Sequence, residues 1–225
     1  MSRSYQVCVS IAEPDVDSCL KAISGQKFAE IRLDKMELDT EDVKKIFASR
    51  TTKLIATCRP DGTIRGEQER MKVLLMAIKS GASYVDIEVE ASDQYKKEIV
   101  DAARVMKCKA IISYHNYKKT PSRTELDQIL GWCFDSGADI AKIACTVCSS
   151  QENARLLGLL DNSRPIVVVG MGQSGRITRI LAPLLGSQFT FASLEKGKET
   201  ADGQMTKKEL EEIINLIREA GEKDD

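Results

Sequence analysis

Lys142 sits in the middle of the apolar run Ile140-Ala-Lys-Ile-Ala144. On a buried strand such neighbours strip hydration from an ammonium, so its pKa falls and a neutral amine nucleophile becomes available. The bland alternative is a lysine paired to Asp86 or Glu88. His115 is the one histidine of the chain, so any imidazole acid–base chemistry must use it. Followed by Asn116-Tyr-Lys-Lys, it is on its own equally well read as a loop residue. Glu30, Arg32 and Asp34 alternate with Ala29, Ile31 and Leu33, and Asp86 and Glu88 alternate with Val85, Ile87 and Val89. A period of two puts the charges of each run on one face of a strand. Arg59 closes a further β-rich run. Charges on buried parallel strands are costly. For any one of these residues a structural charge network is almost as good an account as catalysis; for the whole set it is a poorer one.

The elements that would hold these groups repeat along the chain. Short β-rich runs span Tyr5 to Ile11, Phe28 to Leu33, Lys53 to Arg59, Tyr84 to Glu88, Ala110 to His115, Ile140 to Cys145, Pro165 to Val169 and Phe189 to Leu194. An amphipathic helix follows each, starting near Asp15, Thr40, Glu67, Asp93, Ser122, Ser149, Gly175 and Thr206, the last with Glu209 as a capping box. Eight units in 225 residues give about 28 residues each, just enough for parallel crossovers. Without a linker or composition break, residues 1–225 read as one domain, an α/β fold of the single (β/α)8 barrel type. The runner-up is an open doubly wound sheet. In the barrel the ionisable residues point inward near the carboxyl ends of the strands, where barrel active sites lie.

Two motifs compete for attention. Gly170-Met-Gly172-Gln-Ser-Gly175 follows a strand, opens a helix and has Glu195 twenty residues beyond it, which satisfies the dinucleotide-binding fingerprint. Its place in the seventh unit, with one strand to follow, argues for a rim loop that shapes the site or holds an anion. Cys145-Thr-Val-Cys148 is a lone CxxC, a weak redox signal and a weaker zinc one. Seven scattered cysteines suit a reducing cytoplasm. With 33 Lys plus Arg against 34 Asp plus Glu, no global field points to nucleic acid. The longest aliphatic run, Ile166 to Val169, is far too short to span a membrane.

In order along the chain, Val7-Cys-Val-Ser10, Glu30-Ile-Arg-Leu-Asp34, Thr57-Cys-Arg59, Asp86-Ile-Glu88, Ser113-Tyr-His115, Ala138-Asp-Ile-Ala-Lys-Ile-Ala144, Met171 through Arg179 and Ala201-Asp-Gly-Gln204 form a specific set. With these stretches the chain resembles the type I 3-dehydroquinate dehydratases, small (β/α)8 barrels of the shikimate pathway. The resemblance implies that Lys142 forms a Schiff base with 3-dehydroquinate and that His115 is the general base and acid. It implies that Ser10, Glu30, Arg32, Arg59, Met171, Arg179, Thr200 and Gln204 hold the substrate. It also implies a cytoplasmic enzyme of aromatic amino acid biosynthesis that needs no metal or organic cofactor, with a homodimer open as its assembly. Many members carry a glutamate after the third strand to support the histidine. Here that loop offers Asp61, and Glu88 is the candidate on neighbouring-strand grounds. A lysine-dependent barrel aldolase would keep Lys142 with a different acid–base group. A dinucleotide dehydrogenase ranks third, and a binding module explains the mid-strand lysine least.

Overall fold

A computed structural model describes residues 5–36, 38–48, 51–60 and 66–221; Asp61 lies outside them. The strands are β1 (Val7–Ile11), β2 (Phe28–Arg32), β3 (Lys53–Thr57), β4 (Tyr84–Glu88), β5 (Lys109–Asn116), β6 (Ile140–Thr146), β7 (Ile166–Met171) and β8 (Thr190–Ser193). They alternate with α1 (Val16–Ile23), α2 (Thr40–Phe47), α3 (Glu67–Ser80), α4 (Asp93–Val105), α5 (Arg123–Asp135), α6 (Ser150–Leu157), α7 (Arg176–Leu185) and α8 (Lys207–Gly221). Neighbours in sequence pair in parallel from β1 to β7, and β8 returns to pair with β1. This order has no switch point, so the fold is the (β/α)8 barrel and not the doubly wound sheet.

Closure between β7 and β8 is made by other means than a ladder among the described residues. The Gln188 N–H donates to the Ile166 carbonyl at 3.0 Å, and the Val168 N–H donates to Ser187 Oγ at 3.4 Å. Arg179 Nη1 reaches the Phe191 carbonyl at 3.5 Å. Buried strand groups must find partners, and here one backbone N–H of the loop and two side chains supply them.

Two strand ends differ from the sequence expectation in ways that matter for function. β3 stops at Thr57 rather than Arg59, and the freed Cys58 carbonyl accepts from Arg70 instead. β5 runs on to Asn116, with His115 in register with Ala144, so the histidine is a strand residue and not a loop residue. The capping box at the start of α8 is present, with Thr206 and Glu209 exchanging hydrogen bonds of 3.0 and 3.2 Å. Serines cap α4, α5 and α6, which fixes where those helices leave the strand ends.

The strands alternate between two cores. Val9, Ile31, Val85, Ile112 and Val168 face the helices in the outer core. Inside the barrel, Phe28 and Phe189 pack edge to face at 5.0 Å, with Tyr84 5.4 Å from Phe28, and Ile140 joins the same cluster. Three of these come from the even strands β2, β4 and β6, Phe189 immediately precedes β8, and together they close the amino-terminal end. Cys8, Ile55, Ile111 and Val167 from the odd strands lie next. The third layer, again from even strands, is Glu30, Asp86, Lys142 and Phe191. A barrel normally fills three such layers with apolar side chains. Here the third carries three charges, all buried.

Candidate active site

Above that layer opens a cavity of about 850 Å³ at the carboxyl ends of the strands. All ten residues assigned from the sequence and the resemblance line it, including Ser10 from β1, Met171 from β7 and Thr200 and Gln204 from the β8–α8 loop.

Lys142 Nζ lies 2.9 Å from Asp86 Oδ2 and 4.5 Å from the centre of the Phe191 ring. It is thus an ion-paired side chain at the cavity floor and not an isolated amine. Asp86 is completely buried and is also met by Arg59 Nη2 at 2.7 Å and by the Ser113 hydroxyl at 2.6 Å. Burial alone would raise its pKa, but Arg59 and then Lys142 outweigh that and hold the carboxyl well below the usual carboxylate range. The group therefore stays charged and keeps the lysine aimed into the barrel.

Arg59 also donates to Glu88 at 2.6 Å and to Ser113 Oγ at 2.9 Å. Arg70, buried on α3, meets the other Glu88 oxygen at 3.0 Å. Both Glu88 oxygens are thus taken by arginines, and the expected support of His115 by Glu88 is not what the structure contains. The histidine stands beside the lysine strand, its ring 6.1 Å from the Tyr117 ring and nearly parallel to it. Burial first, then the positive Arg59 and Lys142, push its pKa well below the ordinary value. The imidazole is neutral at neutral pH, as a proton acceptor must be.

Glu30 accepts from the Ser10 hydroxyl at 2.7 Å and the Thr57 hydroxyl at 2.9 Å. Gln204 reaches Ser10 at 3.4 Å and, through its oxygen, accepts from the Thr200 N–H at 2.7 Å, which ties the β8–α8 loop to the floor. Arg32 grips Asp34 with two hydrogen bonds of 3.0 and 2.6 Å and the Thr200 carbonyl with a third at 3.2 Å. Its partner is therefore Asp34 and not Glu30.

Arg32, Arg59, Arg70 and Lys142 balance Glu30, Asp34, Asp86 and Glu88 within this network. Arg179 has no such partner. It is 1% exposed, its nearest acceptors are the Phe191 and Asp202 carbonyls at 3.5 and 3.2 Å, and its Nε has no acceptor among the described residues. Burial lowers its pKa to about 10, still far above neutrality. The Asp202 carboxylate is near enough to favour its charge but forms no ion pair with it among the described residues, so the guanidinium lining the cavity is a fitting anchor for an anion.

The glycine motif is a close packing contact. A Cβ on Gly175 would come within 2.4 Å of the Gly170 carbonyl carbon, so the pair lets α7 start against the end of β7 and seats Arg179 in its first turn. Of the CxxC pair, Cys145 is buried with its thiol pushed up to about 12 by burial, and Cys148 is exposed. Sequence reasoning missed Thr57, Ser113 and Arg70. The first two share the inward alternation of their strands, and Arg70 stands on the buried stripe of α3 with Leu74, Ala77 and Ile78. A charge on an apolar stripe was the available signal.

The family model for type I 3-dehydroquinase matches residues 7–220. A 3-dehydroquinate dehydratase of Dehalococcoides mccartyi is 35% identical over 216 residues, covering 93% of this chain and 94% of that protein. The chloroplastic bifunctional 3-dehydroquinate dehydratase/shikimate dehydrogenase of Arabidopsis thaliana is 33% identical over 94% of this chain, which spans only 37% of that longer protein. The solved 3-dehydroquinate dehydratase of Enterococcus faecalis is 26% identical and superposes with a TM-score of 0.80, covering 94% of this chain and 93% of the other.

Proposed function

Because the chain belongs to the type I 3-dehydroquinase family, we propose that it dehydrates 3-dehydroquinate, the shikimate-pathway reaction, through an imine on Lys142 with His115 carrying the proton. The observation that carries this reading is the pairing of Lys142 with a permanently charged Asp86 at the floor of the cavity, one strand away from a neutral histidine.

Dehydration of a β-hydroxy ketone must remove a weakly acidic proton beside the carbonyl and expel a hydroxyl. Once the ammonium has given up a proton to solvent, the amine condenses with the ketone, one water leaves, and a proton taken up on the imine nitrogen makes it a cationic iminium, which renders the adjacent C–H acidic. Asp86, already the counter-ion of the ammonium, is placed to be the counter-ion of that iminium. His115 takes the proton, an enamine forms, and the enamine expels the β-hydroxyl as His115 gives its proton to the leaving oxygen. Water then hydrolyses the iminium and returns the amine. Arg179 supplies the charge to hold the substrate carboxylate, while Glu30, Ser10 and Gln204 offer acceptors and donors for its hydroxyls.

Reduction with borohydride in the presence of 3-dehydroquinate, followed by peptide mass spectrometry, tests the proposal. A stable adduct on the peptide that contains Lys142 is expected, and none in Lys142→Ala. An adduct elsewhere, or turnover by Lys142→Ala, would overturn the imine mechanism.

A further inference from the structure

We propose that Arg70 is a positioning residue for this reaction, which orients Arg59 and through it the Asp86–Lys142 pair by holding Glu88 in place. The inference rests on the dehydratase reading above. From Lys142, contacts run to Asp86 at 2.9 Å, from Asp86 to Arg59 at 2.7 Å, from Arg59 to Glu88 at 2.6 Å and from Glu88 to Arg70 at 3.0 Å. Arg59 thus stands between two carboxylates, and its place between them depends on how much of the Glu88 charge is met from the other side. Without Arg70, the charge of Glu88 would fall on Arg59 alone and draw it away from Asp86.

The setting of Arg70 fits that task better than it fits stability. The guanidinium lies over the Tyr95 ring at 5.1 Å from its centre, and its other polar contact is the Cys58 carbonyl at 3.3 Å, where β3 has left the sheet. Both contacts fix its direction toward the site. Meanwhile Arg70 Nε and the Tyr95 hydroxyl are buried without hydrogen-bond partners among the described residues. A network selected for stability alone would satisfy them or replace the ionic chain with apolar side chains.

The test is a double-mutant cycle read in steady-state kinetics, with borohydride trapping and thermal unfolding alongside. Arg70→Met keeps a side chain long enough to cover Tyr95 and removes the charge. We expect kcat to fall roughly ten- to a hundredfold with KM changed less than about threefold, since misplacement of a reacting group acts on the chemical step. Arg70→Lys should recover part of the loss, because it keeps the charge and loses the fork. In a Glu88→Gln background Arg70→Met should have little further effect on kcat, because the contact through which it acts is already altered. Should Arg70→Met fail to fold, Arg70→Lys carries the same cycle. An equal loss in both backgrounds, or an activity loss that follows only the unfolded fraction, would overturn the proposal. A wild-type chain that is trapped and active while Arg70→Met turns over normally would remove the role of Arg70 alone. A wild type that is neither trapped nor active on 3-dehydroquinate would remove the dehydratase reading and this proposal with it.

Discussion

Arg179 is a buried guanidinium whose hydrogen bonds run to backbone carbonyls and whose place lines the cavity. An arginine on α7 can serve as a substrate anchor or as one half of a surface ion pair. Its burial and its carbonyl-only contacts exclude the second. A buried guanidinium that gains a carboxylate only in the substrate complex should lose about 2 to 5 kcal/mol in kcat/KM when changed to Ala, with Lys restoring part of it. Unchanged kinetics in Arg179→Ala would place the carboxylate site elsewhere in the cavity, although Arg32 and Arg59 are already engaged by Asp34 and by Asp86 and Glu88. At this scale the sequence was legible wherever a charge broke an apolar strand. Lys142 and the Asp86–Glu88 alternation stood out for that reason, and so did the possibility of their pairing. Which carboxylate met which cation was not legible, because partners on different strands are set by barrel tilt and stagger, which no local spacing encodes. Glu88, expected to support His115, went to the arginines.

The turn from β7 into α7 shows how an element can carry a motif for reasons of space. Gly170 and Gly175 touch backbone to backbone, and a Cβ on Gly203 would come within 2.3 Å of the Gly172 oxygen, joining the β8–α8 loop to the same turn. Overpacking in a rigid site costs about 1 to 3 kcal/mol, and backbone on both sides leaves no flexible atom to yield. Gly175→Ala should therefore unfold at clearly lower temperature than wild type. Gly131, inside α5 with nothing within 4 Å of its would-be Cβ, supplies the contrast. Gly131→Ala should be stabilising by roughly 0.5 to 1 kcal/mol. Melting curves of both variants decide the point, and equal midpoints would mean that the turn tolerates a side chain. The eight βα units were legible because strand and helix periods alternate cleanly. The meaning of the glycine spacing was not, since a close helix–strand contact and a pyrophosphate cradle ask for the same residue.

For the whole molecule, two buried groups of the site, His115 and Asp86, both weaken the fold in acid. The folded pKa of His115 lies below its ordinary value of about 6.5, so its contribution is complete above that pH and is lost as the pH falls through 6.5 toward the folded value. Asp86 acts in the same direction lower down, with a contribution complete above about 3.9 and lost as the pH falls through its depressed folded value. Between pH 7.5 and 5.5 the melting temperature of wild type should drop more steeply than that of His115→Asn. Parallel slopes would show that the imidazole titrates normally in the fold. The barrel itself was legible from eight equal repeats, whereas the seam between β7 and β8 was not, because it is closed by one backbone hydrogen bond and by side chains from α7 and the following loop.

The aromatic floor formed by Phe28, Tyr84 and Phe189 makes the barrel a blind well. Reactant, product and expelled oxygen must share a single mouth, so the traffic is last in, first out. A water released between the lysine and the ring of the product cannot drain away beneath it. It must either pass the product or wait behind it, where it stands ready to add back across the new double bond. Reversibility is then built into the shape of the vessel as much as into the chemistry at its base.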